Sequence, residues 1–454
     1  MKRFWLVLLS LGLIVAFSTS AMAVDVKFNG EYYAAGMYLD KTSLKKDAGP
    51  STAFYFQRLR LGTDFVVSPG LKLVTRADIM ERAWGANRTA TLGPGVVPPQ
   101  DVMSAGTRSE NENIAFDLLY VSYVSPIGMF NVGYQIDDVW GTVWGNSSNP
   151  KGKIAYFFKT GGLTLILQAG KDKELSRSVN NPLGDADKDQ SFYTAAGIYS
   201  WKTGEAGLLF KYIKNNQFRN AFNSPATPDA GFTWDGLITT PYVKAKLGPV
   251  ALEAQIYYLY GKQEYEGNIV PIGNPEDVDL SQLSGWIDAT VDLGKFYIGG
   301  SLAYVSGDDP DTKDKAEGGV LGGGLDYNPC LIMFNSDLNY WTGNLAGHNG
   351  SANNGPMSNA YFAQLRAGVK PIDKLDIMLS GSYATADKTP QAVWDSREYG
   401  YEIDLTATYK LTNNLSYMVG GGYWMVGDYY KGTAAAGQDV DDNYIILNKL
   451  TLTF

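Results

Sequence analysis

Along most of this chain apolar and polar residues alternate with a period of two, the pattern of strands with unlike faces. The clearest stretch is 58–65, where Leu59, Leu61, Thr63 and Phe65 share one face and Arg58, Arg60, Gly62 and Asp64 share the other. Ser68-Pro69-Gly70 then supplies a tight turn, and 71–79 alternates again, with Leu71, Leu73, Ala77 and Ile79 opposite Lys72, Arg76 and Asp78. The segment reads as a hairpin with one greasy face and one charged face.

The unit recurs. Strand-like segments 116–124 and 130–136 flank a turn at 126–128, 153–159 and 163–169 flank 161–162, and 193–201 and 207–214 flank 203–205. Further pairs are 242–247 with 250–260, 286–293 with 296–305, 361–369 with 375–383, and 401–411 with 415–425. A less regular pair, 319–327 and 331–340, flanks Asn328-Pro329. Between the pairs lie long polar segments, at 40–52, 83–113, 173–190, 216–233, 262–280, 307–318, 342–358 and 428–442. Connections therefore alternate, short then long. With 26–39 first and 443–454 last, the pattern predicts about 20 strands, falling to 16 or 18 if the weak pair does not form; bacterial barrels have even numbers. The expected fold is all-β, a closed antiparallel transmembrane β-barrel with short periplasmic turns and long extracellular loops.

Physics requires the closure. Each unpaired backbone group in lipid costs several kcal/mol, so an open sheet cannot span a membrane. A soluble sandwich would also alternate, but so many hairpins without an internal domain boundary argue against it. Residues 24–454 read as one domain.

Near the bilayer midplane a charge on the lipid face costs about 2–4 kcal/mol, so the charged phase belongs inside. That places Glu31, Arg58, Arg60, Asp64, Lys72, Arg76, Asp78, Asp117, Asp288, Asp292, Arg366, Glu402 and Asp404 on the lumen wall. The four cations within 58–76 suggest a basic ladder, with acids on other walls completing a transverse field. Tyr32, Tyr38, Tyr120, Tyr134, Tyr258, Tyr260, Tyr401 and Tyr409 occupy the apolar phase near strand ends, where interfacial rings are favoured. Two loops could narrow the lumen: 83–113, the longest, and the aromatic 139–152, which carries Trp140 and Trp144 and is slightly preferred.

The N-terminus adds the compartment. Lys2 and Arg3 precede an apolar run at 4–17, and Ala21-Met22-Ala23 forms a cleavage site, so residues 1–23 read as a secretory signal peptide. The formal charge of −9 becomes more negative once those two cations are removed, which argues against a nucleic-acid partner. Cys330 is the sole cysteine, so neither an internal disulfide, a c-type haem nor a zinc site of the Cys/His type is available.

Little chemistry is legible. His348 is the only histidine and lies in a loop, so no catalytic base near neutral pH is evident, and the chain does not read as an enzyme. Asp185-Ala186-Asp187-Lys188-Asp189 begins like a calcium loop but has Gln190 and Ala196 where glycine and glutamate are needed. The acidic loops at 308–311 and 439–442 read as solvated faces, with weak divalent-ion binding as the alternative. No cofactor or metal site is expected.

The last strand, 444–454, ends in Phe454 with Leu452, Leu450 and Ile446 at alternate positions before it, interrupted by Asn448. This resembles the C-terminal signal that Gram-negative outer-membrane barrels present to the barrel-assembly machinery, with Leu450, Leu452 and Phe454 as its residues. With the leader and the hairpins, the chain from Val24 onward resembles the outer-membrane porins. The 58–64 and 68–73 segments resemble the large porin-like proteins of anaerobic metal-respiring bacteria. The resemblance implies a water-filled channel for passive diffusion of ions and small hydrophilic solutes, a setting of lipid and lipopolysaccharide, and often a homotrimer. The alternatives are a substrate-specific channel and the barrel sheath of a cytochrome electron conduit. The chain encodes no N-terminal plug ahead of its first strand.

Overall fold

The structure is a computed structural model that describes residues 24–85, 114–175, 188–219, 231–265, 277–319, 324–390 and 393–454. The leader at 1–23, most of loop 83–113 and the acidic positions 185–187 lie outside the described residues.

In chain order the strands are β1 (Asp25–Leu39), β2 (Thr52–Ser68), β3 (Leu71–Ala83), β4 (Ile114–Ser125), β5 (Gly128–Asp137), β6 (Asn149–Thr160), β7 (Leu163–Lys173), β8 (Gln190–Trp201) and β9 (Gly204–Asn215). There follow β10 (Phe232–Leu247), β11 (Val250–Tyr265), β12 (Asp277–Asp292), β13 (Phe296–Val305), the two-residue β14 (Lys315–Ala316), β15 (Ala360–Ile372), β16 (Leu375–Ala386), β17 (Glu398–Lys410), β18 (Leu415–Val426) and β19 (Asn443–Thr453). Each long strand pairs antiparallel with its neighbours, and β19 pairs back onto β1 from Glu31–Thr453 to Leu39–Ile445. The result is a closed barrel of 18 strands, with β14 outside the ladder as a short parallel addition to β12. Closure satisfies every edge, as a membrane-spanning sheet requires.

The excess over 18 in the expected strand number came from the pair at 319–340. Among the described residues of that range no hairpin forms. Residues 331–334 lie in turns and bends, and a short helix α1 (Ser336–Thr342) follows, capped by the Asn335 side chain on the Leu338 N–H. The physical reason is burial on all sides: Ile332, Met333, Phe334, Leu338 and Leu345 are buried, so these residues fill space rather than divide two faces.

The outside of the barrel is apolar. Leu119, Val121, Leu165, Leu167, Ile287, Leu302, Leu365, Ile403 and Leu405 are exposed there. Exposed rings gather near both strand ends: Tyr134, Tyr193, Tyr212, Tyr361, Tyr401 and Tyr423 at the long-loop end, and Tyr123, Tyr199, Trp201, Tyr409 and Tyr417 at the short-turn end. An apolar belt between two aromatic girdles matches a bilayer and its interfaces. Tyr120 departs from this expectation. A bulge at Arg76–Ala77 leaves Asp117 as an extra residue on β4, which inverts the phase beyond it. Leu118 is therefore buried, Leu119 is exposed, and Tyr120 turns toward the lumen cavity.

Candidate functional site

The lumen is organised in three parts, each built by strand phase and cross-strand pairing. The first is a wall of paired charges on β1–β4. Arg60 stands opposite both Glu31 and Asp78, and it holds Asp78 with two bonds of 2.7 Å. Arg58 lies 3.8 Å from Glu31, 3.9 Å from Asp78 and 3.5 Å from Glu81. Lys72 bonds Asp64 at 2.6 Å, and Arg76 grips the Asp117 carboxylate. Each of the four cations thus has an acid on its own wall, while Asp288, Glu402 and Asp404 lie on other walls. Asp64 and Asp78 belong to the 58–79 hairpin itself, whereas Glu81, Asp117 and Glu31 come from outside it and join through register.

The second part is a loop that turns inward. Residues 138–148, between β5 and β6, reach across to β10 and β11. The Trp140 indole donates to the Thr240 carbonyl at 2.8 Å, and its ring meets Tyr242 edge-on at 5.2 Å. Thr142 donates to the Gln255 side chain from both its amide (2.9 Å) and its hydroxyl (2.6 Å). Trp144 is fully buried.

Beneath this loop lies a cluster of three lysines and three aspartates. Lys211 bonds Asp137 at 2.6 Å and Asp138 at 2.9 Å, while Lys153 bonds Asp137 at 2.7 Å. Lys151 bonds Asp138 at 2.7 Å and lies 3.4 Å from Asp172. The Lys211 and Lys151 ammonium groups also lie 4.5 and 5.6 Å from the Phe192 ring centre. The cluster borders a cavity of about 970 Å³, whose other lining includes Tyr120, Gln135, Gln168, Trp234 and Tyr257. Reading the sequence passed over these residues, although Lys151, Lys153 and Lys211 stand in the inward phase of β6 and β9. Their signal was the same alternation, diluted by neutral neighbours.

The third part is formed by 306–319 and 324–359, between β13 and β15, on the other side of the lumen. Trp341 of α1 packs on Phe56 of β2, ring centres 4.3 Å apart, and Phe334 meets Phe362 and Tyr399 edge-on. Polar anchors fix its path. The Glu402 carboxylate accepts the Ile332 and Met333 N–H groups at 2.7 Å each. The Gln364 amide donates to the Pro329 carbonyl at 2.7 Å, and Trp286 donates to the Tyr327 hydroxyl at 3.1 Å. Loop 138–148 and this segment meet, with the Gly324 N–H on the Trp144 carbonyl (2.8 Å) and the Asp326 N–H on the Asn146 carbonyl (3.0 Å).

The remaining expected positions fall as follows. Asp288 and Arg366 form an ion pair at 2.6 Å, joined by Ser301 and Thr290. Asp292 ends β12 and accepts the Gly294 N–H, so it sits at the short-turn rim. Glu402 and Asp404 are buried beneath the infolded segment and meet Cys330 there. His348 approaches the Asp439 carbonyl at 3.1 Å. Two acidic loops are tied to lysines, Asp309 to Lys388 at 2.7 Å and Asp441 to Lys41 at 2.8 Å. Leu450 and Leu452 lie in β19, and Phe454 exchanges both backbone bonds with Gly30, at 2.8 and 3.0 Å.

The barrel is similar to that of OccK9 (OpdG) from Pseudomonas aeruginosa, with a TM-score of 0.52 and 13% identity over 94% of this chain and 99% of that one. OccK1 (OpdK) from the same organism gives 0.50 and 12%, over 94% and 99% of the two chains. A BenF-like porin from Pseudomonas fluorescens Pf-5 gives 0.47 and 13%, over 94% and 99%. At these identities the likeness to OccK9 and OccK1 establishes the fold alone. No protein-family model matches the chain, and no curated protein matches it.

Proposed function

We propose that this chain is an outer-membrane porin through which ions and small hydrophilic solutes diffuse passively. The observation that carries this reading is the inversion of surfaces: apolar residues cover the outside of a closed barrel while a charged, cavity-bearing lumen occupies the inside. In a soluble protein those surfaces would be exchanged. The fold shared with OccK9 supports the same reading.

The passage is eccentric. The described parts of the segment between β13 and β15 share a core with β1, β2, β12, β13 and β15–β19, whereas the 970 Å³ cavity is lined from β4 round to β11. A solute would therefore pass between loop 138–148 and the Lys151, Lys153 and Lys211 cluster. Rings and walls of charge of this kind set ion preference in pores. The alternative of a sheath around a multihaem partner is less well supported, because the chain's own segment takes up part of the lumen.

The test is single-channel recording of the purified, refolded barrel in a planar bilayer. Stable ohmic steps, with a reversal potential that changes on mutating the lysine cluster, are the expected result. A correctly folded barrel that carries no current would overturn the proposal.

A further inference from the structure

Cys330, Glu402 and Asp404 come from two separate elements, the infolded segment and β17. A thiol sulfur and one oxygen of each carboxylate lie within 4.8 Å of one another. All three residues are buried, at 3%, 0% and 3% exposure. Among the described residues no lysine or arginine pairs with either carboxylate. Asp404 Oδ1 is buried and has no hydrogen-bond partner. Gly422, opposite Asp404 on β18, leaves that oxygen room, since a Cβ there would lie 2.5 Å from it.

Ser380 and Ser382 stand opposite Asp404 and Glu402 on β16, but neutral hydroxyls do not cancel charge, and two carboxylates placed together in a buried site cannot both remain charged without compensation. Either a proton or a cation must stand between them. The geometry points to a cation: we propose that Cys330, Glu402 and Asp404 bind one divalent metal ion of borderline softness, zinc in the first instance. A thiolate sulfur beside two carboxylate oxygens suits zinc, whereas calcium and magnesium take oxygen ligands alone. One Zn²⁺ offsets two of the three negative charges left when the thiol releases its proton to solvent on binding, so the site ends with the same net charge as with a shared proton. Three protein ligands leave a fourth position for water. Glu402 keeps its two bonds from the Ile332 and Met333 N–H groups, which orient the carboxylate toward the ion, and each of its oxygens has a second lone pair for coordination.

Such an ion would cross-link the infolded segment to the barrel wall. Cys330 begins the buried run through Phe334, so the ion would fix the point where the segment turns into the lumen.

Cobalt(II) tests this directly, because thiolate coordination gives a sulfur-to-cobalt charge-transfer band that carboxylates alone do not. Full-length refolded barrel should take up about one cobalt per chain with that band, and zinc should displace it stoichiometrically. Cys330→Ser should abolish the band, and Asp404→Asn should weaken cobalt binding by at least the roughly tenfold that loss of an outer-shell partner alone costs. If the folded wild-type barrel shows no charge-transfer band, the proposal is wrong and a shared proton neutralises the carboxyl pair. The same follows if the band survives in Cys330→Ser. The readout is spectroscopic, so it is independent of whether the barrel conducts.

Discussion

Arg60 and Asp78 face each other across β2 and β3, joined by two parallel bonds of 2.7 Å, with Asp78 only 2% exposed. Bidentate pairing of this kind fixes both side chains and is stronger than a single-point contact. It makes the wall of β1–β4 a neutralised surface rather than a basic one.

Removing the acid should therefore reveal the ladder. Asp78→Ala leaves Arg60 without its bidentate partner and deprives Arg58 of one of its three acids. The expected outcome is a shift of the reversal potential toward anions, with a stability loss of about 2 kcal/mol from the lost charged hydrogen bonds. Combining it with Arg60→Ala should restore the original ion preference. If Asp78→Ala conducts like the wild type, this wall lies off the permeation path.

The lysine cluster should act with the opposite sign. Lys211→Gln with Lys153→Gln leaves Asp137 at the edge of the cavity with only the longer contact to Lys151, at 3.7 Å. A unit charge about 4 Å away is worth about 1 kcal/mol even in bulk water, so the cation-to-anion permeability ratio should rise about fivefold. Bi-ionic reversal potentials measure this, and an unchanged ratio would place the passage elsewhere.

Glu402 anchors the infolded segment through two backbone amides. Glu402→Ala would leave the Ile332 and Met333 N–H groups unpaired in an apolar setting, at about 1–3 kcal/mol each. The segment should loosen, giving larger and noisier single-channel steps than the wild type. Quiet steps of unchanged size would show that the apolar packing of Phe334 and Trp341 is sufficient alone.

A pH dependence follows from the tie between the β1–β2 and β18–β19 loops. The hydrogen bond from Lys41 holds the Asp441 carboxyl below the usual aspartate range, with the Asp47 N–H adding to the effect. A depressed carboxyl contributes stability that is complete above its unfolded value and is lost as pH falls through the folded one. Loop-related current noise should accordingly stay constant from neutral pH down to the ordinary aspartate value and rise only below it. Asp441→Asn should show the acid-type noise already at pH 7.

The strand pattern was legible because a barrel wall has lipid on one side and water or charge on the other, so each strand carries a period of two. The eight regular turns, from 69–70 to 411–414, followed from that period and its punctuation. The failures have two causes. Around Ile332, Met333, Phe334 and Leu338 the side chains are buried whichever way they point, so no two-faced pattern exists to be read, and an inserted segment resembled a weak hairpin. At Tyr120 a single bulge shifted the phase, and nothing in the local sequence announces a bulge.

By itself, then, the sequence determined the alternating faces, the order of short and long connections and the residues that must avoid lipid. Only the tertiary structure decided the strand number, the partner of each charge and the segment that enters the lumen. The reason is range. Alternation is a property of neighbouring residues, but Arg76 meeting Asp117 and Glu402 meeting Ile332 depend on register and closure, which are set when distant strands pair.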